Sequence, residues 1–208
     1  MRIVLALLCL LAANAFARAE APTVDFGGQR YHLAYEDQAK LPSGEPGDGI
    51  AEFTLEGETV DSWTKLFAFF AYPESGDDPT LAAATLGKVV KEVNKDANFV
   101  LMENPDTGEA IIDFLTWLPG SEVMEFNVFK YARAQYGPGL VALQFAQRFK
   151  MSDLDVKDFR AMRERSVAEM SRIDVAPARD YFASRIKTMS RHEPSSGKEP
   201  DAQAGGER

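Results

Sequence analysis

The segment from Trp63 to Tyr72 constrains the fold of this chain more than any other. It reads Trp-Thr-Lys-Leu-Phe-Ala-Phe-Phe-Ala-Tyr, so its large apolar residues alternate between two directions at a period of two. The two predicted faces carry Trp63, Phe67 and Phe69 on one side, and Leu66, Phe70 and Tyr72 on the other. Aromatic side chains on both faces are typical of a strand in the middle of a sheet that is covered on both sides.

Four further strands are predicted in the second half of the chain, over residues 98–103, 109–117, 123–133 and 140–149. Short turns rich in Pro and Gly separate them, so we expect consecutive antiparallel neighbours. Shorter strands are predicted over residues 30–35 and 50–55, with a loop over 41–49 between them.

Two amphipathic helices interrupt and follow these strands. The first is predicted to begin at Asp78-Pro79, because Asp caps free N–H groups and Pro suits the first helical position. The second follows a capping-box-like pattern from Ser152 to Asp155. A short third helix is expected over residues 178–189. The predicted apolar stripes are Ala82, Leu86, Val89, Val90 and Val93 in the first helix, and Val156, Phe159, Val167, Met170 and Ile173 in the second.

This order predicts an α+β fold, a twisted antiparallel sheet of about six to seven strands flanked by two long helices. The predicted domain spans residues 30–190. Residues 20–29 are interpreted as a polar lead-in, and 191–208 as a disordered tail, because that segment is polar and lacks an apolar pattern.

Residues 1–19 have the pattern of a secretory signal peptide: a basic start, an apolar run and a small-x-small site at Ala17-Arg18-Ala19. We expect cleavage after Ala19, with Ala17 as the alternative. Lipidation is not expected, because Leu8 rather than a small residue precedes Cys9. The predicted location is the periplasm or the exterior, with no membrane anchor.

Composition excludes several function classes. Cys9 is the only cysteine, so the mature chain has no disulfide and no thiol nucleophile. The whole chain carries −9, and residues 1–19 hold two Arg and no acid, so the mature chain is near −11. That charge argues against a nucleic-acid partner. His32 and His192 are far apart in sequence, so no metal site and no cofactor are predicted.

Asp113 is the one candidate for catalysis. It interrupts the apolar run Ile-Ile-Asp-Phe-Leu, and a carboxylate among apolar groups has a raised pKa unless it is paired. Glu125 on the neighbouring strand is a possible second carboxylate. The alternatives are a solvent-reaching edge or an ion pair with a base such as Lys65, Lys130 or Arg148.

The aromatic residues Trp63, Phe67 and Phe69 are candidates for an apolar ligand pocket. At strand spacing such residues more often form core, because alternating aromatic side chains are what sheet packing uses. The arginines of the second helix are an alternative docking face for an acidic partner, although exposed charges often serve solubility alone.

The element order resembles that of the PsbP and DcrB family of envelope proteins over residues 31–173. The resemblance also rests on Gly57-Glu58-Thr59 followed by Trp63-Thr64-Lys65-Leu66 at the entry to the central strand. It implies a twisted antiparallel sheet between helices, in proteins that mostly bind or assist other proteins. It carries no catalytic residues.

These observations predict a soluble, non-catalytic binding or accessory protein of the cell envelope, with an envelope protein or a small apolar ligand as its partner. The alternatives are a carboxylate-based periplasmic hydrolase that uses Asp113, and a protein that neutralises an incoming toxin.

Overall fold

A computed structural model describes residues 21–135 and 137–189 of the protein. The predicted signal peptide and the predicted tail over 191–208 lie outside the described residues. The strands are β1 Thr23–Phe26, β2 Gln29–Lys40, β3 Pro46–Thr54, β4 Lys65–Tyr72, β5 Asn98–Asn104, β6 Glu109–Thr116, β7 Val123–Arg133 and β8 Leu140–Lys150. The α-helices are α1 Pro79–Val93, α2 Val156–Arg172 and α3 Ala176–Met189, and a 3-10 turn spans Met151–Asp153.

All eight strands form one antiparallel sheet in the order β1-β2-β3-β4-β8-β7-β6-β5. After β4 the chain passes through α1 to the far edge and returns by three hairpins until β8 pairs with β4. The prediction of a central strand within 63–72 is therefore confirmed, as is the prediction of four consecutive antiparallel strands.

The predicted count of six to seven strands is wrong, because the sheet has eight. The segment predicted as a polar lead-in contains β1, whose Phe26 is buried in the core although its neighbours are polar. Gly27 and Gly28, both at positive φ, turn β1 into β2. Strand β2 continues to Lys40, and β3 already begins at Pro46, inside the predicted loop.

The helices also differ from the expectation of two long ones, since α1, α2 and α3 have 15, 17 and 14 residues. Asp78 caps α1 as predicted, and its side chain accepts a hydrogen bond from the Leu81 N–H. In α2 the N-cap is Asp155 rather than Ser152, and its side chain accepts from the N–H groups of Lys157 and Asp158. The 3-10 turn before it accounts for this shift.

The stripe of α1 that packs on the sheet is displaced from the predicted one. Its buried residues are Pro79, Ala83, Gly87 and Val90, whereas Val89 and Val93 are exposed. A Cβ atom at Gly87 would lie 2.7 Å from the Phe99 ring. Small residues therefore let α1 approach the sheet closely, and the larger valines are left at its flank.

Two apolar cores lie on the two faces of the sheet. We call one the helix-pair face, because α2 and α3 pack on it, and the other the α1 face. The helix-pair face buries Phe26, Phe53, Phe67, Phe69, Val128 and Phe145. The α1 face buries Ile112, Phe114, Phe129, Tyr131, Leu140 and Ala142. The β4 strand thus contributes alternate residues to opposite faces, as its pattern predicts.

Gly139, just before β8, provides a test of the turn that starts this central strand. A Cβ atom there would lie 2.1 Å from the Tyr72 carbonyl oxygen, and φ is +88°. Gly120 has a similar φ of +80° but open space around it. We expect Gly120→Ala to cost about 1–2 kcal/mol for the left-handed conformation alone, and Gly139→Ala to cost clearly more in urea unfolding. Equal losses in the two variants would contradict this account.

Candidate functional site

Asp113 is buried on the helix-pair face, with 2% of its surface exposed. Its carboxylate accepts two hydrogen bonds from one guanidinium: Arg163 Nε donates to Oδ1 at 2.5 Å, and Arg163 Nη2 donates to Oδ2 at 2.8 Å. This two-bond geometry is the strongest way for an arginine to hold a carboxylate. The hydrogen bond to Asp113 raises the pKa of Arg163 above its ordinary value.

An ion pair is therefore the correct alternative for Asp113, but none of the three suggested bases forms it. Arg163 lies on α2, four residues after Phe159 and four before Val167, and thus on the apolar stripe of its helix. That position was the available signal in the sequence, because an arginine within an apolar stripe needs a buried partner.

The second carboxylate, Glu125, does not approach Asp113. Across β6 and β7, Asp113 stands opposite Val128 while Glu125 stands opposite Thr116, so the two side chains emerge on different faces of the sheet. Glu125 is paired with Arg148 instead, with 3.2 Å between Oε2 and Nε. The pair of carboxylates that the hydrolase hypothesis requires is not assembled at these positions.

A second buried ionic group holds the other end of α2. Lys130 is buried on the helix-pair face, and its Nζ lies 3.0 Å from Glu109 Oε2. The same Nζ donates to the carbonyl oxygens of Ile173 at 2.8 Å and Ser171 at 3.4 Å. A cation among the last carbonyls of a helix also interacts favourably with the helix dipole. Arg163 and Lys130 together fix where α2 lies on the sheet.

The three aromatic ligand candidates do not share one pocket. Phe67 is fully buried on the helix-pair face against Phe26. Phe69 lines a cavity of about 460 Å³ between β1, β3, β4 and α3. Trp63 precedes β4 and packs on the opposite face beside Leu66, so its predicted position beside Phe67 and Phe69 is wrong. Side chains alternate between the two faces of the sheet only within the strand, which begins at Lys65.

A second cavity, which we call the α3 cavity, lies where α3 crosses the ends of β3, β4 and β8. Its volume is about 420 Å³, within the range of small-molecule sites. Its apolar lining includes Leu41, Pro46, Ala71, Leu140, Val141 and Phe182, and its polar lining includes Gln38, Glu45, Glu74 and Arg179. No local pattern in the sequence indicates this cavity, because its walls come from segments far apart in the chain.

Polar contacts at one side of α3 hold the helix over this region. Arg179 donates from Nε and Nη2 to the Arg133 carbonyl oxygen at 3.0 and 2.8 Å. Glu36 on β2 accepts hydrogen bonds from the Tyr181 hydroxyl and from Arg185. Burial, together with the hydrogen bond to Glu36, raises the pKa of Tyr181 well above its ordinary value. The cover of the cavity therefore combines one buried ring, Phe182, with exposed polar contacts.

The α1 face is covered by a helix over only part of its width, since α1 packs on β5, β6 and β7. Its β4 and β8 part is nonetheless a buried cluster, in which Trp63 and Phe70 pack against Leu66, Ala68 and Ala146. A chain of polar side chains borders it: Gln144 donates to Asn127 at 2.7 Å, Asn127 donates to Glu125 at 3.1 Å, and Arg148 bonds Glu125. The Arg148 guanidinium lies 3.7 Å from the centre of the Trp63 ring.

Metal ligands are sparse in the part of the chain that the structure describes. No group of three or more His, Cys, Asp or Glu side chains there has the arrangement of a metal site. His32 is exposed on β2, and His192 lies outside the described residues. None of the described helices is both long enough and apolar enough to cross a membrane.

A protein-family model matches residues 19–175, a range that includes β1 to β8, α1 and α2 and ends just before α3. No curated protein matches the chain.

The Asp113–Arg163 pair is testable by a double-mutant cycle. Removing one partner of a buried ion pair leaves the other uncompensated, so Asp113→Ala and Arg163→Ala should each lower the free energy of unfolding by about 3 kcal/mol. The double variant should lose much less than the sum. Arg160→Ala, on the exposed side of the same helix, should change stability by less than about 0.5 kcal/mol. Additive losses in urea unfolding would show that the pair is not coupled.

Glu52 offers a test of pH dependence. It lies half-buried on β3, and burial raises the pKa of its carboxyl above the ordinary value. The folded state therefore favours the protonated form, and wild-type stability falls as the pH rises from the ordinary pKa through the raised one. We expect Glu52→Gln to raise Tm near pH 7 and to have little effect near pH 3, whereas the exposed Glu56→Gln should change Tm little at either pH. A Tm gain for Glu52→Gln that is the same at both pH values would contradict this assignment.

Proposed function

We propose that this chain, which belongs to the family whose model spans residues 19–175, is a non-catalytic binding protein that holds a small apolar molecule in the α3 cavity. The cavity is the observation that carries the proposal. It combines a volume of about 420 Å³ with a lining of aliphatic side chains, prolines and the Phe182 ring. Ligand sites in proteins are concave and mostly apolar, with a few polar groups that orient the bound molecule.

The placement of Asp113 supports a binding role over hydrolysis. Both of its carboxylate oxygens accept hydrogen bonds from Arg163, and Glu125 is on the other face of the sheet. A general acid or base must reach a substrate proton directly or through one water. Asp113 is instead committed to attaching α2. The proposal that the chain neutralises a toxin remains a prediction from its small acidic domain.

The proposed location is the periplasm, in soluble form. Support comes from the signal-peptide pattern of residues 1–19 and from the lack of cysteine in the rest of the chain. The proposed relationship to PsbP and DcrB proteins has the same kind of support, namely the element order and the residues at the entry to β4. That likeness favours binding or assistance over catalysis.

The ligand class follows from the walls of the α3 cavity. When a ligand covers the apolar walls, each Å² of apolar surface removed from water favours binding by roughly 25 cal/mol. Glu45, Glu74 and Arg179 also line the cavity, so a polar group on the ligand has donors and acceptors available. We therefore propose a small, mostly apolar molecule rather than a sugar or a nucleotide.

Binding of a neutral apolar dye, N-phenyl-1-naphthylamine, tests this proposal. Its fluorescence should rise on addition of the full mature chain, because the cavity removes the dye from water. Ala183→Phe places a ring in the cavity wall and should weaken dye binding at least about five-fold. Ala161→Phe is the matched control, because position 161 is opposite the buried Met170 on α2.

The control should bind the dye as the wild type does. Thermal unfolding of both variants shows whether either change disturbs the fold. Unaltered dye binding by a folded Ala183→Phe variant, or no binding by the wild type, would overturn the assignment of the cavity.

A further inference from the structure

We infer that the edge strand β5 binds an extended segment of a partner protein, which adds to the sheet beside it as a further strand. The segment would lie against a cavity between β5, β6 and α2, which we call the β5 groove. This region shares no lining residue with the α3 cavity, and β6 and β7 separate β5 from β8. The inference is therefore independent of the proposed ligand.

The outer side of β5 presents unpaired backbone groups. Strand β5 pairs with β6 from Asn98 opposite Leu115 to Asn104 opposite Glu109, and no described strand pairs with its other side. Along a strand, successive residues direct their N–H and C=O groups to opposite sides, so this edge offers a row of donors and acceptors. A partner strand can satisfy the whole row, whereas a small molecule reaches only part of it.

Strand β5 also lacks the features that usually prevent pairing at an edge. Natural sheets protect their edges with short strands, prolines, bulges and charged side chains, lysine above all. The other edge strand, β1, follows this rule, because it has four residues, follows Pro22 and contains Asp25. Strand β5 has seven residues without Pro or a basic residue, and its register with β6 is free of bulges. Its one charged residue is Glu103.

The β5 groove provides room for the side chains of such a strand. Its volume is about 530 Å³, and its apolar lining consists of Met102, Pro105, Ile111, Val167 and Ala168. Of these, Met102, Val167 and Ala168 are only half-buried, so an incoming side chain can contact them. Val100 is on the same face of the sheet and is 45% exposed. Alternate side chains of a strand paired with β5 would therefore cover apolar surface that is accessible in the free protein.

The charges beside the groove favour a basic segment. Arg163 and Glu109 line the cavity, but each is already held in an ion pair. Glu103 and Glu164 also line it and are exposed, and no salt bridge between described residues includes either of them. A second copy of this chain fits less well, because β5 has no basic residue and both copies would bring the same acidic charge. The partner segment thus combines apolar residues at alternate positions with Lys or Arg.

Peptides with altered backbones test the pairing with β5. The probe is a fluorescein-labelled peptide of about nine residues that alternates Val and Thr and has Lys at both ends. Fluorescence anisotropy with the full mature chain at about 150 mM salt should show binding. One control peptide is N-methylated at every Val and the other at every Thr. Because only one of these two sets of N–H groups can face β5, one control should lose at least about ten-fold in affinity and the other much less.

Variants of the protein locate the site. Val100→Lys places a charge on the edge strand and should weaken peptide binding at least about five-fold. Val123→Lys is the matched control, because Val123 is similarly exposed, at 40%, but lies on β7; it should change binding less than about two-fold. Ala168→Phe places a ring in the β5 groove and should also weaken binding, whereas a probe with Glu in place of Lys should bind less tightly than the original.

Equal effects of the two methylated peptides, equal effects of the two lysine variants, or no binding of the probe would each overturn the inference. Sedimentation velocity covers the remaining occupant, since a wild-type dimer that Val100→Lys dissociates would assign the edge to a second copy and not to a partner. Thermal unfolding shows whether each variant is folded. The dye assay for the α3 cavity should be unaltered by Val100→Lys, so failure of one proposal is distinguishable from failure of the other.

Discussion

The pairing of β4 with β8 is the interaction on which the rest of the structure depends. It joins the four N-terminal strands to the four that follow α1, and it runs without interruption from Lys65 opposite Gln147 to Tyr72 opposite Leu140. Such a contact between distant segments must offset the entropy that is lost when a long loop closes, so it must bury a large apolar area. Phe67, Phe69 and Phe145 on one face provide much of this buried area.

The parts of the fold that could be predicted are those with local signals. Alternation of apolar residues identified β4, Pro-Gly turns separated the hairpins, and Asp78-Pro79 placed the start of α1. Strand β1 was missed because it is short and its burial depends on a partner strand. Trp63 was placed on the wrong face because the alternation holds only within the strand. The Asp113–Arg163 pair joins residues fifty positions apart, and no local pattern specifies which of several bases completes it.

Buried ionic contacts determine where α2 lies on a face that is otherwise apolar. Apolar packing is not directional, so a helix with an apolar stripe has several acceptable positions on such a sheet. Asp113 and Lys130 reduce these to one. If α2 slid along the sheet, Asp113 would be left buried and unpaired, and Lys130 would lose the carbonyl oxygens of Ser171 and Ile173. Replacing a buried ion pair by apolar residues often does not lower stability, so its value here is that it specifies one arrangement.

The central strands contribute side chains to both faces of the sheet, and on β4 the period of two determines which of them lie near α3. On β4, Ala71 lines the α3 cavity and Phe69 lies beneath α3, whereas Ala68 and Phe70 lie on the α1 face. A change at a single position of β4 therefore affects one surface directly and the other only through the backbone. The region that the family model matches includes all eight described strands, α1 and α2, and it ends before α3. The α3 cavity therefore depends on a helix that follows the matched region.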